Sequence, residues 1–139
     1  FFAIGSDSHV TLDPFDEMRL YEYGQRLKHL KRGVIGDAAM TDVGAYLWHN
    51  AVVGGGRSLR GDRGPIQVGN KADIIVLDPE CDGLYAKPKD KRLSSLVFTS
   101  LSRNITDVVV QGHHVLKDGY HENEEHIQNA WRNVMKKYQ

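Results

Sequence analysis

The stretch Phe1-Phe2-Ala3-Ile4-Gly5-Ser6-Asp7-Ser8-His9 opens the chain and decides its fold. Four apolar residues in a row are typical of a strand buried on both faces. Gly5 and Ser6 allow the backbone to turn where that strand ends. Asp7 and His9 then follow the carboxyl end of the strand, which is where parallel α/β folds place catalytic groups. The stretch therefore predicts a buried strand with polar chemistry at its end.

The rest of the chain has the composition of an ordinary globular domain. Its 139 residues are 40% hydrophobic and 26% charged, with a mean hydropathy of −0.46. Eighteen basic residues balance eighteen acidic ones, so no net field favours nucleic acid or an anionic membrane. No apolar run approaches the roughly 20 residues of a membrane span. We therefore expect neither partner, and the single cysteine, Cys81, favours the cytoplasm.

Two helices are predicted after the opening strand. The first is capped by Asp13, has apolar residues at helical spacing to about residue 32, and ends at Gly33. The second extends from about residue 42 to 53, is capped by Thr41, and ends at Gly54-Gly55-Gly56. Within the first helix, Arg26 is expected to pair with Glu22 one turn earlier. That pairing would leave Arg26 a structural role; gripping a substrate carboxylate is the alternative.

Short strands are predicted beyond the second helix. Residues 72–79 and 96–99 have strand-like composition, and residues 107–119 are predicted to form a hairpin. The end of the chain has acids first and bases last, which predicts a terminal helix. Its apolar residues form one stripe, expected to pack on the rest of the protein: Ile127, Ala130, Trp131, Val134, Met135 and Tyr138.

Three segments, in this order, resemble the amidohydrolase superfamily, whose members are metal-dependent hydrolases and deaminases on a (β/α)8 barrel. Gly5-Ser6-Asp7-Ser8-His9 resembles the end of the eighth barrel strand. Val68-Gly69-Asn70-Lys71-Ala72-Asp73-Ile74-Ile75-Val76-Leu77-Asp78 is similar to the segment that enters a small β-sandwich, and residues 108–119 resemble the following hairpin. The resemblance implies an α/β fold. Residues 1–60 would end a TIM-type barrel, residues 61–119 would be part of the β-sandwich, and residues 120–139 would be a C-terminal helix.

A fourth segment narrows the resemblance. Tyr21-Glu22-Tyr23-Gly24-Gln25-Arg26-Leu27 resembles the N-formimino-L-glutamate deiminases of histidine degradation, which form N-formyl-L-glutamate and ammonia. Gly54-Gly55-Gly56-Arg57-Ser58 departs from the Gly-Gly-Ala type of helix end in that family. The resemblance implies a small-molecule substrate, one divalent metal ion, expected to be zinc, and a metal-activated water as nucleophile.

Asp7 is the residue to which the resemblance assigns the chemistry. In the family, the aspartate after strand eight ligates the metal and accepts the proton of the water, and Asp7 has that position. A turn or capping aspartate is the alternative. Ser6, Ser8 and His9 are candidates to orient Asp7 or to face the substrate, with ordinary turn residues as the alternative.

The superfamily's metal-binding histidines belong to earlier strands, which this chain does not contain. We therefore expect the chain to be the back part of a larger protein, to need the preceding part of the barrel, and to be inactive alone. The protein could also form a homodimer, which the sequence leaves open. Two other functions remain open. One is a deaminase or chlorohydrolase of the same superfamily acting on a nucleobase or triazine ring, and the other is a non-catalytic structural or interaction domain.

Overall fold

The structure is a computed structural model, which describes residues 1–59, 61–99 and 104–138. Within these ranges, four α-helices and four strands are present. In chain order they are α1 Pro14–His29, α2 Val43–Ser58, β1 Ile74–Leu77, α3 Arg92–Thr99, β2 Ile105–Val110, β3 His113–Lys117, β4 Tyr120–His121 and α4 Glu124–Met135. Single 3-10 turns at Lys89–Lys91 and Lys136–Tyr138 precede α3 and extend α4.

Helix α1 begins where the sequence predicts. The Asp13 carboxylate accepts the Phe15 amide at 2.8 Å, and Pro14 occupies the first helical position, where its missing N–H costs nothing. The end differs from the prediction. Leu30, with φ +50°, closes the helix in the left-handed conformation, three residues before Gly33. The Leu30 amide donates to the Arg26 carbonyl, so a leucine holds the closing position that glycine usually occupies.

Helix α2 differs from the prediction at both of its ends. Asp42, not Thr41, is the cap, and it accepts the Ala45 amide at 2.9 Å. The triple glycine does not end the helix, which continues to Ser58. Gly54 lies against the backbone carbonyl of Phe2, and a Cβ at this position would overlap that carbonyl. Gly54 and Gly56 therefore form a surface on which other backbone packs closely, whereas Gly55 has open space around it, and the three glycines do not stop the helix.

Two of the predicted strands do not form, although the structure describes the residues that were expected to form them. Residues 1–4 pair with no strand, and Phe1 is 69% exposed. A strand needs a neighbour for its backbone hydrogen bonds, and the described part of this chain offers none here. Residues 96–99 belong to α3, where Leu96 and Val97 are both buried. A short apolar run has no periodicity that separates strand from helix, so that prediction was wrong.

The strands form one antiparallel sheet in the order β1-β2-β3-β4. Ile75 pairs with Val108 across β1 and β2, and Leu116 pairs with His121 across β3 and β4. The predicted hairpin is confirmed, with Gln111 and Gly112 at positive φ in its turn. The α/β class is confirmed as helices beside this sheet. The barrel and the two-layer sandwich stay predictions, because the described strands build a single layer.

The core lies between α1, α2 and α3. Its buried apolar side chains are Phe15, Met18, Ile35, Leu47, Leu84, Leu96 and Val97. Helix α4 does not join it, since every residue from 125 to 138 is exposed. The prediction that Trp131 and Tyr138 pack on the rest of the chain is wrong for the described residues. None of the helices described is long and apolar enough to cross a bilayer.

Candidate active site

A tight turn presents the candidate catalytic residue. The His9 amide donates to the Ser6 carbonyl at 2.6 Å, and Asp7 and Ser8 lie between them. Asp7 has φ +39°, a left-handed conformation that aspartate tolerates better than most residues. The turn leaves the Asp7 side chain exposed, directly before α1. Its carboxylate is therefore available to bind a ligand.

The neighbouring candidates differ in exposure. Ser6 is half-buried, and Ser8 and His9 are exposed. Among the described residues, no hydrogen bond joins either serine hydroxyl to the Asp7 carboxylate, so the role predicted for Ser6 and Ser8 stays a prediction. Ser6, Asp7, Ser8 and His9 are consecutive in the sequence, and the turn holds all four at one place in the structure.

His9 has a partner that the sequence analysis missed. Its Nδ1 lies 2.6 Å from Oε1 of Glu17, whose side chain is only 11% exposed. An ionised carboxylate only accepts hydrogen bonds, so Nδ1 donates and Nε2 of the neutral ring is left as an acceptor. The helix start at Pro14 folds the chain back and brings the first turn of α1 beside the site. In the sequence, the only indication of this contact is that the first turn of α1 contains an acidic residue.

Glu17 also lines a small cavity beside the turn. It has a volume of about 180 Å³, and its other walls include Gly5, Ser6, Asp13 and Pro14. Asp16, the preceding residue, accepts a hydrogen bond from the Arg19 side chain, which holds the pKa of Asp16 below its usual range despite some burial. The carboxylates of the first turn of α1 are therefore already engaged, and Asp7 is the available one.

A larger groove of about 680 Å³ lies elsewhere, between α2, α3 and β1. Its walls are mainly apolar, and they include Trp48 and Leu96. Its one carboxylate, Asp73, is tied to Arg63 and accepts the Gln111 amide at 2.8 Å. The groove's carboxylate is therefore engaged, and the exposed imidazole of His49 is the other titratable group in its lining.

The Glu22–Arg26 pair is confirmed as structural. Arg26 Nε donates to Glu22 Oε1 at 2.7 Å, and the Glu22 carboxylate is fully buried. Glu22 also accepts the Ile35 amide at 3.0 Å, which ties the loop after α1 to the helix. The guanidinium lies 5.0 Å from the Tyr23 ring centroid and 5.4 Å from that of Phe98. Arg26 is thus committed to the fold.

The donors present fit a metal ion only in part. In residues 1–59, 61–99 and 104–138, no group of three or more His, Cys, Asp or Glu side chains could hold one. Asp7 qualifies as a single carboxylate ligand, being exposed and without a hydrogen-bond partner in those ranges. A metal bound through Asp7 would need further donors from outside the described residues.

Comparison with known proteins places the fold in a class. Over 98% of its length the chain superposes on an amidohydrolase from Brucella melitensis with a TM-score of 0.84 and 32% identity. It also superposes on an adenosine deaminase from Xanthomonas campestris with bound zinc, with a TM-score of 0.70 and 27% identity over 96% of the chain. The chain belongs to the amidohydrolase superfamily, as the sequence predicted. No protein-family model matches it.

Two curated relatives are more specific. Formimidoylglutamate deiminase of Pseudomonas aeruginosa is 37% identical over 133 residues, which is 96% of this chain. The 5-methylthioadenosine/S-adenosylhomocysteine deaminase of Shouchella clausii is 35% identical over 84% of the chain. The chain spans only 29% and 26% of the lengths of these two relatives. Relatedness to metal-dependent C–N hydrolases is thus established over this region alone.

Proposed function

We propose that this chain is the C-terminal portion of a metal-dependent deiminase that hydrolyses N-formimino-L-glutamate to N-formyl-L-glutamate and ammonia. The observation that carries the proposal is the 37% identity to the Pseudomonas aeruginosa deiminase over almost the whole chain. In this proposal, residues 1–60 end a barrel, residues 61–119 belong to a β-sandwich and residues 120–139 are a terminal helix. The protein acts on a small molecule in the cytoplasm, without nucleic-acid or membrane partners.

Asp7 is the catalytic residue of the proposal. A bound divalent metal, zinc in the first instance, supplies a water whose pKa is lowered toward about 7. Asp7 would hold such a metal through its exposed carboxylate and would accept the first proton of that water. The water oxygen would bond to the formimino carbon, and both protons of the water would pass to the departing nitrogen, the first of them by way of Asp7. The bond between that nitrogen and the carbon would then break, and ammonia would leave. The carbon is left as a formyl group, so one water is consumed for each ammonia released.

The turn around Asp7 supports this role by orientation. The short hydrogen bond between the His9 amide and the Ser6 carbonyl fixes the turn, so the Asp7 backbone is held before any ligand binds. Glu17 fixes the ring of His9 through Nδ1. Nε2 then faces away from Glu17 as an acceptor, suited to a substrate N–H group. Ser6 and Ser8 remain proposed contacts to Asp7 or to the substrate.

A second candidate function is deamination of an adenosine-type ring. It is favoured by the 35% identity to the Shouchella clausii deaminase and by the superposition on the zinc-bound adenosine deaminase. Both candidates use the same Asp7 chemistry and differ in what binds the far end of the substrate. Assay of both substrates on the same protein separates them.

The test is a chimera that supplies the rest of the barrel. The 133 aligned residues of the Pseudomonas aeruginosa deiminase are replaced by this chain, and ammonia release is measured. We expect turnover of N-formimino-L-glutamate and none of 5-methylthioadenosine. Asp7→Asn should lower kcat by about 10²-fold or more, because the proton acceptor is lost. It should also lower the zinc content measured by mass spectrometry.

Asp118→Asn is the matched control. Asp118 is also exposed and left-handed, with φ +50°, but it lies in the turn between β3 and β4. We expect its variant to retain full activity and full zinc. The same replacement in the Shouchella clausii deaminase tests the second candidate: turnover of 5-methylthioadenosine by that chimera, with no turnover of N-formimino-L-glutamate by the first, would favour it. A chimera that folds and binds zinc but turns over neither substrate would refute both and favour a non-catalytic domain.

A further inference from the structure

The turn that carries Asp7 is held by the core at one end and by a side chain of α1 at the other. Before the turn, Phe2 and Ile4 pack against the core cluster. At its end, Nδ1 of His9 lies 2.6 Å from Oε1 of Glu17. The side chain of His9 is 51% exposed, whereas that of Glu17 is only 11% exposed. An exposed residue of the turn is thus bonded to a largely buried residue of the helix.

The backbone of Glu17 is fixed by the packing of its neighbours. Phe15, two residues earlier, is 0% exposed, and Met18, the next residue, is 1% exposed. The Glu17 amide also donates to the Asp13 carbonyl at 3.3 Å, within the capped first turn of α1. A close-packed core moves little. The bond from Glu17 to His9 therefore ties the turn to a part of the protein that stays in place.

The connection between the turn and α1 packs little of its own surface. Val10 is 99% exposed and Leu12 is 81% exposed. Segments with few buried apolar contacts open easily, so these two residues do not hold the turn. Thr11 between them hydrogen-bonds to Asp16, which holds the connection two residues after the turn. The contact with Glu17 is the one that restricts the turn itself.

We propose that Glu17 is a positioning residue for Asp7, an inference that rests on the proposed function. By holding His9, Glu17 fixes the end of the turn, so the Asp7 carboxylate meets the substrate from one direction. Glu17 acts through the turn and not on the substrate. Its role needs only an acceptor for the Nδ1 proton of His9, which a glutamine oxygen also provides. Misplacement of a reacting group by about 1 Å can cost about 10²-fold in rate, so a bond outside the chemistry can control it.

The test compares variants of Glu17 in the chimera with the Pseudomonas aeruginosa deiminase. Glu17→Met removes the acceptor and keeps a side chain of similar length, which preserves packing. It should lower kcat about 10- to 100-fold and change KM less than about twofold, because the loss falls on the reacting step. Glu17→Gln should keep kcat within about threefold of the unaltered chimera, because its oxygen accepts the same proton. Glu124→Met is the matched control, since Glu124 bonds to Gln128 in the first turn of α4, and it should leave kcat unchanged.

Two further measurements separate positioning from a general effect on the fold. In a His9→Ala chimera, the added change Glu17→Met should cost less than about twofold in kcat, because the two residues share one contact. Hydrogen exchange of the peptide that contains residues 6–9, measured by mass spectrometry, requires no turnover. It should be about tenfold faster in Glu17→Met than in the unaltered chimera, because a hydrogen bond to a charged group is lost.

The outcomes distinguish this inference from the proposed function. In an active chimera, an unchanged kcat or unchanged exchange in Glu17→Met would overturn the inference. Equal losses from Glu17→Met with and without His9 would also overturn it. An unaltered chimera without turnover would instead refute the proposed function. Faster exchange of residues 6–9 in Glu17→Met would then still support anchoring of the turn by Glu17, and unchanged exchange would overturn it.

Discussion

Asp42 is expected to contribute more to stability than an ordinary helix cap. Its carboxylate caps α2 through the Ala45 amide and also accepts the Ser94 hydroxyl of α3 at 2.6 Å. Lys91 lies 3.5 Å away, and the Asp42 side chain is only 18% exposed. One carboxylate therefore joins two helices that share the core.

The magnitude follows from its two roles. Loss of a cap costs typically about 1 kcal/mol. Loss of a hydrogen bond to a charged group adds about 1.5–3 kcal/mol. We therefore expect Asp42→Ala to lower the free energy of unfolding by about 2.5–4 kcal/mol, measured by urea denaturation at pH 7. Asp13→Ala is the control, because Asp13 caps α1 through the Phe15 amide and, within the described parts of the chain, bonds to no second helix. It should cost about 1 kcal/mol.

The effect should also depend on pH. Burial raises the pKa of Asp42, but the Ser94 hydroxyl, the Ala45 amide and the Lys91 charge outweigh it and hold that pKa below its usual range. A lowered folded-state pKa stabilises above the unfolded value of about 3.9, and this stability is lost as the pH falls through the folded pKa. The difference between the native chain and Asp42→Ala should therefore shrink in acid. Equal losses for Asp42→Ala and Asp13→Ala at pH 7 would refute the reasoning.

Three further outcomes are expected from other parts of the fold. Gly54→Ala should lower the melting temperature through a cost of about 1–3 kcal/mol, because its Cβ overlaps backbone, whereas Gly55→Ala, with open space around it, should raise stability by about 0.5–1 kcal/mol. Glu22→Ala should cost about 3–5 kcal/mol in urea denaturation, because it leaves buried amides and Arg26 without their acceptor. Asp7→Asn should change stability by less than about 0.5 kcal/mol in the same assay, because the side chain is exposed.

Local signals predicted the elements that local chemistry determines. Asp13 and Pro14 specify the start of α1, and the Gln111-Gly112 turn specifies its hairpin, because each requires only nearby atoms. The opening strand failed because its hydrogen-bond partners are not in the described chain. The triple glycine was misinterpreted because its reason is the Phe2 carbonyl, which lies some fifty residues away in sequence.

In the candidate site, too, the sequence predicted what local residues determine and missed what depends on the path of the backbone. Asp7 could be identified because the residues around it form a recognisable motif. Glu17 could not be linked to His9 before the chain's return at Pro14 was known, since the contact depends on the path of the backbone. The exposure of the apolar stripe of α4 was equally beyond prediction, because an amphipathic pattern indicates that a face needs a cover without indicating what covers it.

The location of Asp7 depends on the absence of a Cβ atom at Gly54, because the backbone of Phe2 occupies the space that this atom would take. Phe2 lies with its backbone on α2, and Asp7 follows five residues later, so α2 sets where the turn begins. The side chains of Phe2 and Ile4 help to hold that path by packing against the core, and any side chain at Gly54 would displace it. Exchange of the site segment between relatives should therefore succeed only when the matching glycine is carried with it. The residues that together determine the location of Asp7 therefore include a glycine of α2.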